Sequence, residues 1–314
     1  MAATFEEPPR LPEEVLKTLL DRIPETSRQA QALIGPIAEQ ADKIRHFVDE
    51  RGWIEAIDNR PSSDTIAAVD GAHAVDSTYA GDFVSAIAVA AEGLTPAGLV
   101  GSCRVHSAWS EFMVHDFDLD RLAKVAMIAQ ELALLTQLPH DIVVLDGSHQ
   151  TPVVVLNSAL ASQSERVREY ASQLCAEFEV VDNLQRLINS DRVVACPKAD
   201  ASRDLGEYIA KAWATEHGTS LSIPAADKVL AALVLEPGQM FKAFPVSKEW
   251  KRLHIAARAD SGDVAANQLA HDLDSTIDPL RNQEVRIAYV KPHTCSTAIK
   301  VEFKSRLGAD FRVY

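Results

Sequence analysis

The spacing of apolar and polar positions divides the chain into stretches of different period. "LPEEVLKTLLDRI" and "SRQAQALIGPIAEQADKIRHFVDERGW" carry apolar residues at helical spacing, and Pro36 predicts a break in the second. After the turn-rich "RPSSD" the period becomes strand-like. "TIAAVDG" (65–71), "DFVSAIAVAAEG" (82–93) and "AGLVGSCRVHSAW" (97–109), separated by glycine-containing turns, read as an antiparallel meander. Residues 118–138, "DLDRLAKVAMIAQELALLTQL", are helical with aspartates in the first turn, and after Pro139 the run "DIVVLDG" is a buried strand. The remainder alternates. A long helix is predicted through about 163–189, then a strand "RVVACPK" (192–198), a helix from Arg203, another over 225–235, an acidic helix with a loop over 258–283, and the late strands "EVRIAYVK" and "TAIKVEF".

The order of elements, three antiparallel strands, a helix and a fourth strand, predicts an α/β chain: a ribonuclease H-like mixed sheet with flanking helices and an N-terminal helical arm. The arm takes residues 1–60 and the sheet domain 61–314. In that topology the first strand neighbours the fourth, which brings the ends of "AAVDGAHA" and "VVLDGSH" together, and with them Asp70 and Asp146. On a helical wheel Glu131 shares its face with Met127, Ile128, Leu134, Leu135 and Leu138, so a carboxylate is directed at the sheet. Three converging carboxylates repel one another, and hard divalent cations with oxygen ligands relieve that repulsion. An Asp-Gly pair after a strand is also an ordinary turn signal; it is the ordered triple that points to a metal site.

The formal net charge of −14 is the wrong sign for coating nucleic acid by bulk electrostatics, so any nucleic-acid contact needs a local basic groove, a metal ion or a partner. The cysteines, Cys103, Cys175, Cys196 and Cys295, have neither zinc nor disulfide spacing, and a reducing cytoplasm is expected. No signal peptide and no membrane span is read in the sequence.

These residues resemble the NurA nucleases, which act with the HerA ATPase in processing DNA ends. "AAVDGAHA" and "VVLDGSH" resemble the family's two Asp-Gly-Ser motifs, with Ala72 where serine is common, and Glu131 lies in the matching helix. "VVACPKADASRDL", "DKVLAALVLEPGQMFKAFPV" and "VRIAYVK...TAIKVEF" are similar to three later stretches, so the resemblance runs from about residue 64 to 303. It implies a metal-dependent DNA nuclease, of the endo- or 5'-3' exonuclease type, that works in DNA end processing and repair. Asp70, Glu131 and Asp146 would hold two manganese or magnesium ions, and Lys198 would contact the scissile phosphate. Arg203, His149 and His73 would line the substrate path with Lys198. The implied partners are DNA, a second copy of the chain and a HerA-like hexameric ATPase. Dimerisation would then build a channel collecting Lys198, Arg203 and Arg104. The family's terminal histidine has its nearest counterparts here in His293 and Asp310. Two other readings remain at this stage: an impaired family member serving as an ATPase platform, and an actin-like or sugar-kinase-type ATPase whose Asp-Gly turns cradle phosphates.

Overall fold

A computed structural model describes residues 12–57, 63–93, 106–198, 201–245, 255, 264–282, 285–293 and 297–304. In chain order the elements are α1 (Glu13–Glu50), β1 (Ile54–Ala56), β2 (Ile66–Ser77), β3 (Asp82–Glu92), β4 (His106–Met113), α2 (Leu119–Gln137), β5 (Ile142–Asp146), α3 (Thr151–Leu160), α4 (Glu165–Glu177), α5 (Val180–Asn189) and β6 (Val193–Cys196). They continue with α6 (Asp204–His217), α7 (Asp227–Val234), β7 (Gln239–Pro245), α8 (Val264–Thr276), α9 (Asp278–Asn282), β8 (Val285–Lys291) and β9 (Ile299–Lys304).

The strands form one sheet of nine in the order β1-β7-β8-β9-β6-β5-β2-β3-β4. The meander β2-β3-β4 is antiparallel, β5 runs parallel to β2 and β6 parallel to β5. This is the predicted α/β mixed sheet with flanking helices, and the first meander strand does lie beside the strand that follows the helix. Beyond β6 the sheet is extended through β9, β8 and β7 by antiparallel pairing.

Residues expected to form a helical arm comprise α1 and, in addition, the short β1, which joins the same sheet through β7. The break expected at Pro36 does not occur: α1 runs through both Pro24 and Pro36. The two prolines cost the helix backbone hydrogen bonds, and packing of the helix's later turns, Ile37, Ile44, Phe47 and Val48, against α6 and α7 offsets that loss. The single long helix expected near 163–189 is two helices, divided where Glu179 takes a left-handed conformation at φ 48°. The segment "TPVVVLNSAL", for which no element was predicted, also forms a helix, α3, despite its β-branched run. Among the described residues no helix is long and apolar enough to cross a membrane.

What positions the candidate site is α2. It is buried on nearly all sides, from Leu119 through Leu135, and is stopped by the extended Leu138 ahead of Pro139. Its neighbours are the odd-numbered face of β2 (Ala67, Val69), the inward residues Val84, Ala86 and Ala88 of β3, and helices α3, α4 and α5. Truncating a side chain such as Leu132, fully enclosed here, costs about 2–5 kcal/mol, so the helix is held rigidly over the sheet.

Candidate metal centre

Four polar side chains meet where β2 and β5 run out of their shared ladder. Val69 pairs with Leu145, both facing the core, so the next residue on each strand, Asp70 and Asp146, points to the opposite face of the sheet. On β6, Cys196 pairs with Asp146, and Lys198, two residues further along, returns to that same side. Its Nζ lies 2.7 Å from Asp70 Oδ2 and 2.9 Å from Asp146 Oδ2. The carbonyls of Pro197 and Lys198 in turn accept hydrogen bonds from Lys228 Nζ at 2.5 and 2.8 Å.

Glu131 arrives from the other side of the sheet, on α2. Gly71 makes this possible. A Cβ added there would stand 2.4 Å from Glu131 Oε1 and 2.6 Å from Met127 Cγ, so only glycine leaves room for the carboxylate. Glu131 is 3% exposed and its Oε2 has no hydrogen-bond partner. Burial, followed by the nearby charges of Asp70 and Asp146, pushes its carboxyl up to about 8. Asp70 is held below the usual range, chiefly by its hydrogen bond from Lys198, whereas burial raises Asp146 and Lys198 pulls against that rise.

The Asp-Gly turn after β5 is supported from beneath by Glu302, a glutamate of the late strand pair that the resemblance includes but to which sequence reasoning assigned no role. Glu302 of β9, 1% exposed, accepts hydrogen bonds from Ser148 Oγ at 2.7 Å and from the His149 backbone N–H at 3.1 Å, and pairs with Lys300 at 3.1 Å. Burial pushes its carboxyl up, yet His149, Lys300 and Ser148 outweigh burial and hold it at about 2. Asp227, fully buried, accepts hydrogen bonds from the Leu205 and Gly206 backbone N–H groups at 2.9 and 3.0 Å and from Tyr289 at 3.1 Å, which fixes the start of α6. Burial raises its carboxyl to about 6.

The structure therefore brings together Asp70, Glu131, Asp146 and Lys198. The other predicted residues sit elsewhere. His73 lies on the α2 side of β2, its Nε2 3.3 Å from Asp120 Oδ1, and His149 is buried with its ring against Glu302. Arg203 is exposed at the start of α6 and His293 is exposed after β8. Arg104 and Asp310 lie outside the described residues. The signal that could have found Glu302 and Lys300 was weak, because "IKVEFK" alternates like a strand with a solvated face, whereas Lys300, Glu302 and Lys304 are all buried.

Among the described residues no group of three histidine, cysteine, aspartate or glutamate side chains is arranged to hold a metal ion as it stands. The donor set nevertheless suits a hard cation. It supplies carboxylate oxygens only, one of them an orphaned buried oxygen of Glu131, and the gap at Asp70 and Asp146 already accommodates a positive charge, the Lys198 ammonium.

No protein-family model matches this chain, and no curated protein does. Similar solved structures include the NurA nuclease from Sulfolobus solfataricus, 14% identical with a TM-score of 0.51 over 94% of this chain and 81% of that one. A second NurA crystal structure is 10% identical, with a TM-score of 0.51 over 90% and 86%. A NurA structure with manganese aligns at 0.45 and 11% identity over 92% and 86%. The first two establish that this chain has the NurA-type fold.

Proposed function

We propose that this chain is a metal-dependent DNA nuclease that hydrolyses phosphodiester bonds at Asp70, Glu131 and Asp146. The observation that carries the reading is the convergence of these carboxylates from the first meander strand, the following helix and the parallel neighbouring strand, with Lys198 beside them. The NurA-type fold supports the same reading.

Asp70, Glu131 and Asp146 would hold manganese or magnesium, two ions in the reading favoured here. When bound, such ions supply a nucleophilic water at neutral pH and neutralise charge on the leaving oxygen. Gly71 keeps Glu131 within reach of the two aspartates, and Glu302 fixes the turn that follows Asp146. Lys198 offers an ammonium to a phosphate oxygen as a point charge. Arg203, exposed at the start of α6, is assigned to the substrate path, whereas His73 pairs with Asp120 of α2 and His149 is buried against Glu302.

The protein is proposed to act in DNA end processing and repair in the cytoplasm, as a homodimer working with a HerA-like hexameric ATPase. With a chain charge of −14, a DNA path needs the metal ions and a channel shared by two copies rather than the bulk surface. The test is digestion of end-labelled single- and double-stranded DNA in manganese, magnesium or EDTA, with and without such an ATPase. Cleavage with either ion and none in EDTA is expected; a folded protein that cleaves nothing in any arm overturns the reading.

A further inference from the structure

Lys198 makes an ion pair with both aspartates at once, and its side chain is 69% exposed, so burial does not trap it there. The carboxylate oxygens that it engages are the donors a divalent ion would need. An ammonium and such an ion cannot both take the same lone pairs at full strength. The lysine's backbone, by contrast, is fixed, because Lys228 donates to the carbonyls of both Pro197 and Lys198. A pinned backbone and a free side chain let the ammonium swing without moving the turn.

We infer that Lys198 is a resident counter-cation, which a divalent ion displaces from Asp70 and Asp146, and that Lys228 is the positioning residue that sets its reach. The inference rests on the metal-dependent reading above and adds a role for each lysine. With the aspartates relieved by the lysine, the apo site tolerates two carboxylates a few ångströms from one cation. Once released, the ammonium is available to a phosphate oxygen, so metal loading and substrate contact are coupled through one side chain.

The test is calorimetric titration of metal-free protein with manganese, for the wild type, Lys198→Met, Lys228→Met and Lys228→Arg, with thermal melts as a folding control. Losing one exposed competing cation should tighten manganese binding by about tenfold in Lys198→Met, although DNA cleavage at saturating metal slows. Lys228→Met should tighten it by about threefold and Lys228→Arg should restore wild-type affinity; a purely structural lysine would lower melting temperature and leave the manganese affinity unmoved. If the wild type binds manganese and Lys198→Met binds it no more tightly, the counter-cation role is overturned while the nuclease reading stands. If neither protein binds manganese, the metal-dependent reading fails and this inference falls with it. Unchanged affinity in Lys228→Met, beside a tightened Lys198→Met, removes the positioning role alone.

Discussion

The chain writes Asp-Gly twice on adjacent parallel strands, and the two glycines are there for different reasons. The pair stands at the end of β5 as expected but in the middle of β2, which runs on past the predicted end at Gly71 to Ser77. Gly71 has no positive φ; it is required because Glu131 and Met127 occupy the space of its missing Cβ. Gly147 is at φ 105°, a conformation that side-chain-bearing residues rarely adopt, and a Cβ there would meet Thr151 Oγ1 at 3.0 Å. β2 uses its mid-strand glycine to admit a third carboxylate to the site, and the end of β5 uses its glycine to turn the chain into α3. An identical dipeptide thus serves function in one place and backbone geometry in the other.

Substituting each glycine separates those reasons. Gly71→Ala should displace Glu131 and lower cleavage by about a hundredfold, the order that misplacing a reacting group by ~1 Å costs. Gly147→Ala should act on stability first, by about 1–3 kcal/mol from backbone strain. Equal effects of the two variants on both activity and denaturant midpoint would break the distinction.

The support beneath the turn after β5 gives the next largest effect. Glu302→Gln leaves Lys300 buried beside a neutral partner and weakens the hold on Ser148 and His149, so a loss of about 3–5 kcal/mol is expected by urea unfolding. The sign of its pH dependence follows from a carboxyl held at about 2 against an ordinary 4.5: its stabilisation is present above pH 4.5 and is lost as pH falls through 2.

Beside Gly71 the sign reverses. Glu131, raised from 4.5 to about 8, contributes stability below pH 4.5 that is lost as pH rises through 8. Without metal, Glu131→Gln should therefore be more stable than the wild type at pH 8, by on the order of 2 kcal/mol, while losing activity. Wild-type and variant stability curves that run parallel between acid and pH 8 would contradict the assignment.

The smallest effect is expected at the histidine three residues past Asp70. Among the described residues His73 pairs with Asp120, an exposed partner on α2, so His73→Ala should change stability by less than about 0.5 kcal/mol. A loss of more than about tenfold in DNA affinity, measured by anisotropy, would restore it to the substrate path.

The first two meander strands, α2 and β5 were legible in the sequence because their periods and turn residues are local, whereas β4, His106–Met113, overlaps only the end of the predicted third strand, whose residues 97–105 lie outside the described residues. The parallel neighbourhood of the two strands follows from the order of elements. That order also brings Asp70, Glu131 and Asp146 near one another. What Gly71 does was not legible, since the need for it lies in a helix sixty residues away. Glu302 was hidden by the same non-locality: its partners Ser148 and His149 are on another strand's turn, and its alternation with Val301 and Phe303 imitates a solvated face. The continuous α1 shows tertiary packing overriding the local signal of Pro36, and α3 shows the same for a β-branched run.

The most direct measurement is cleavage of end-labelled single-stranded DNA in manganese by the wild type beside Asp70→Asn and Asp146→Asn, with folding checked by circular dichroism. The account predicts cleavage by the wild type that EDTA abolishes and that both folded variants lose by at least about a thousandfold, the order seen when a catalytic group is removed. Cleavage that survives in either folded variant would place the chemistry elsewhere and contradict the account.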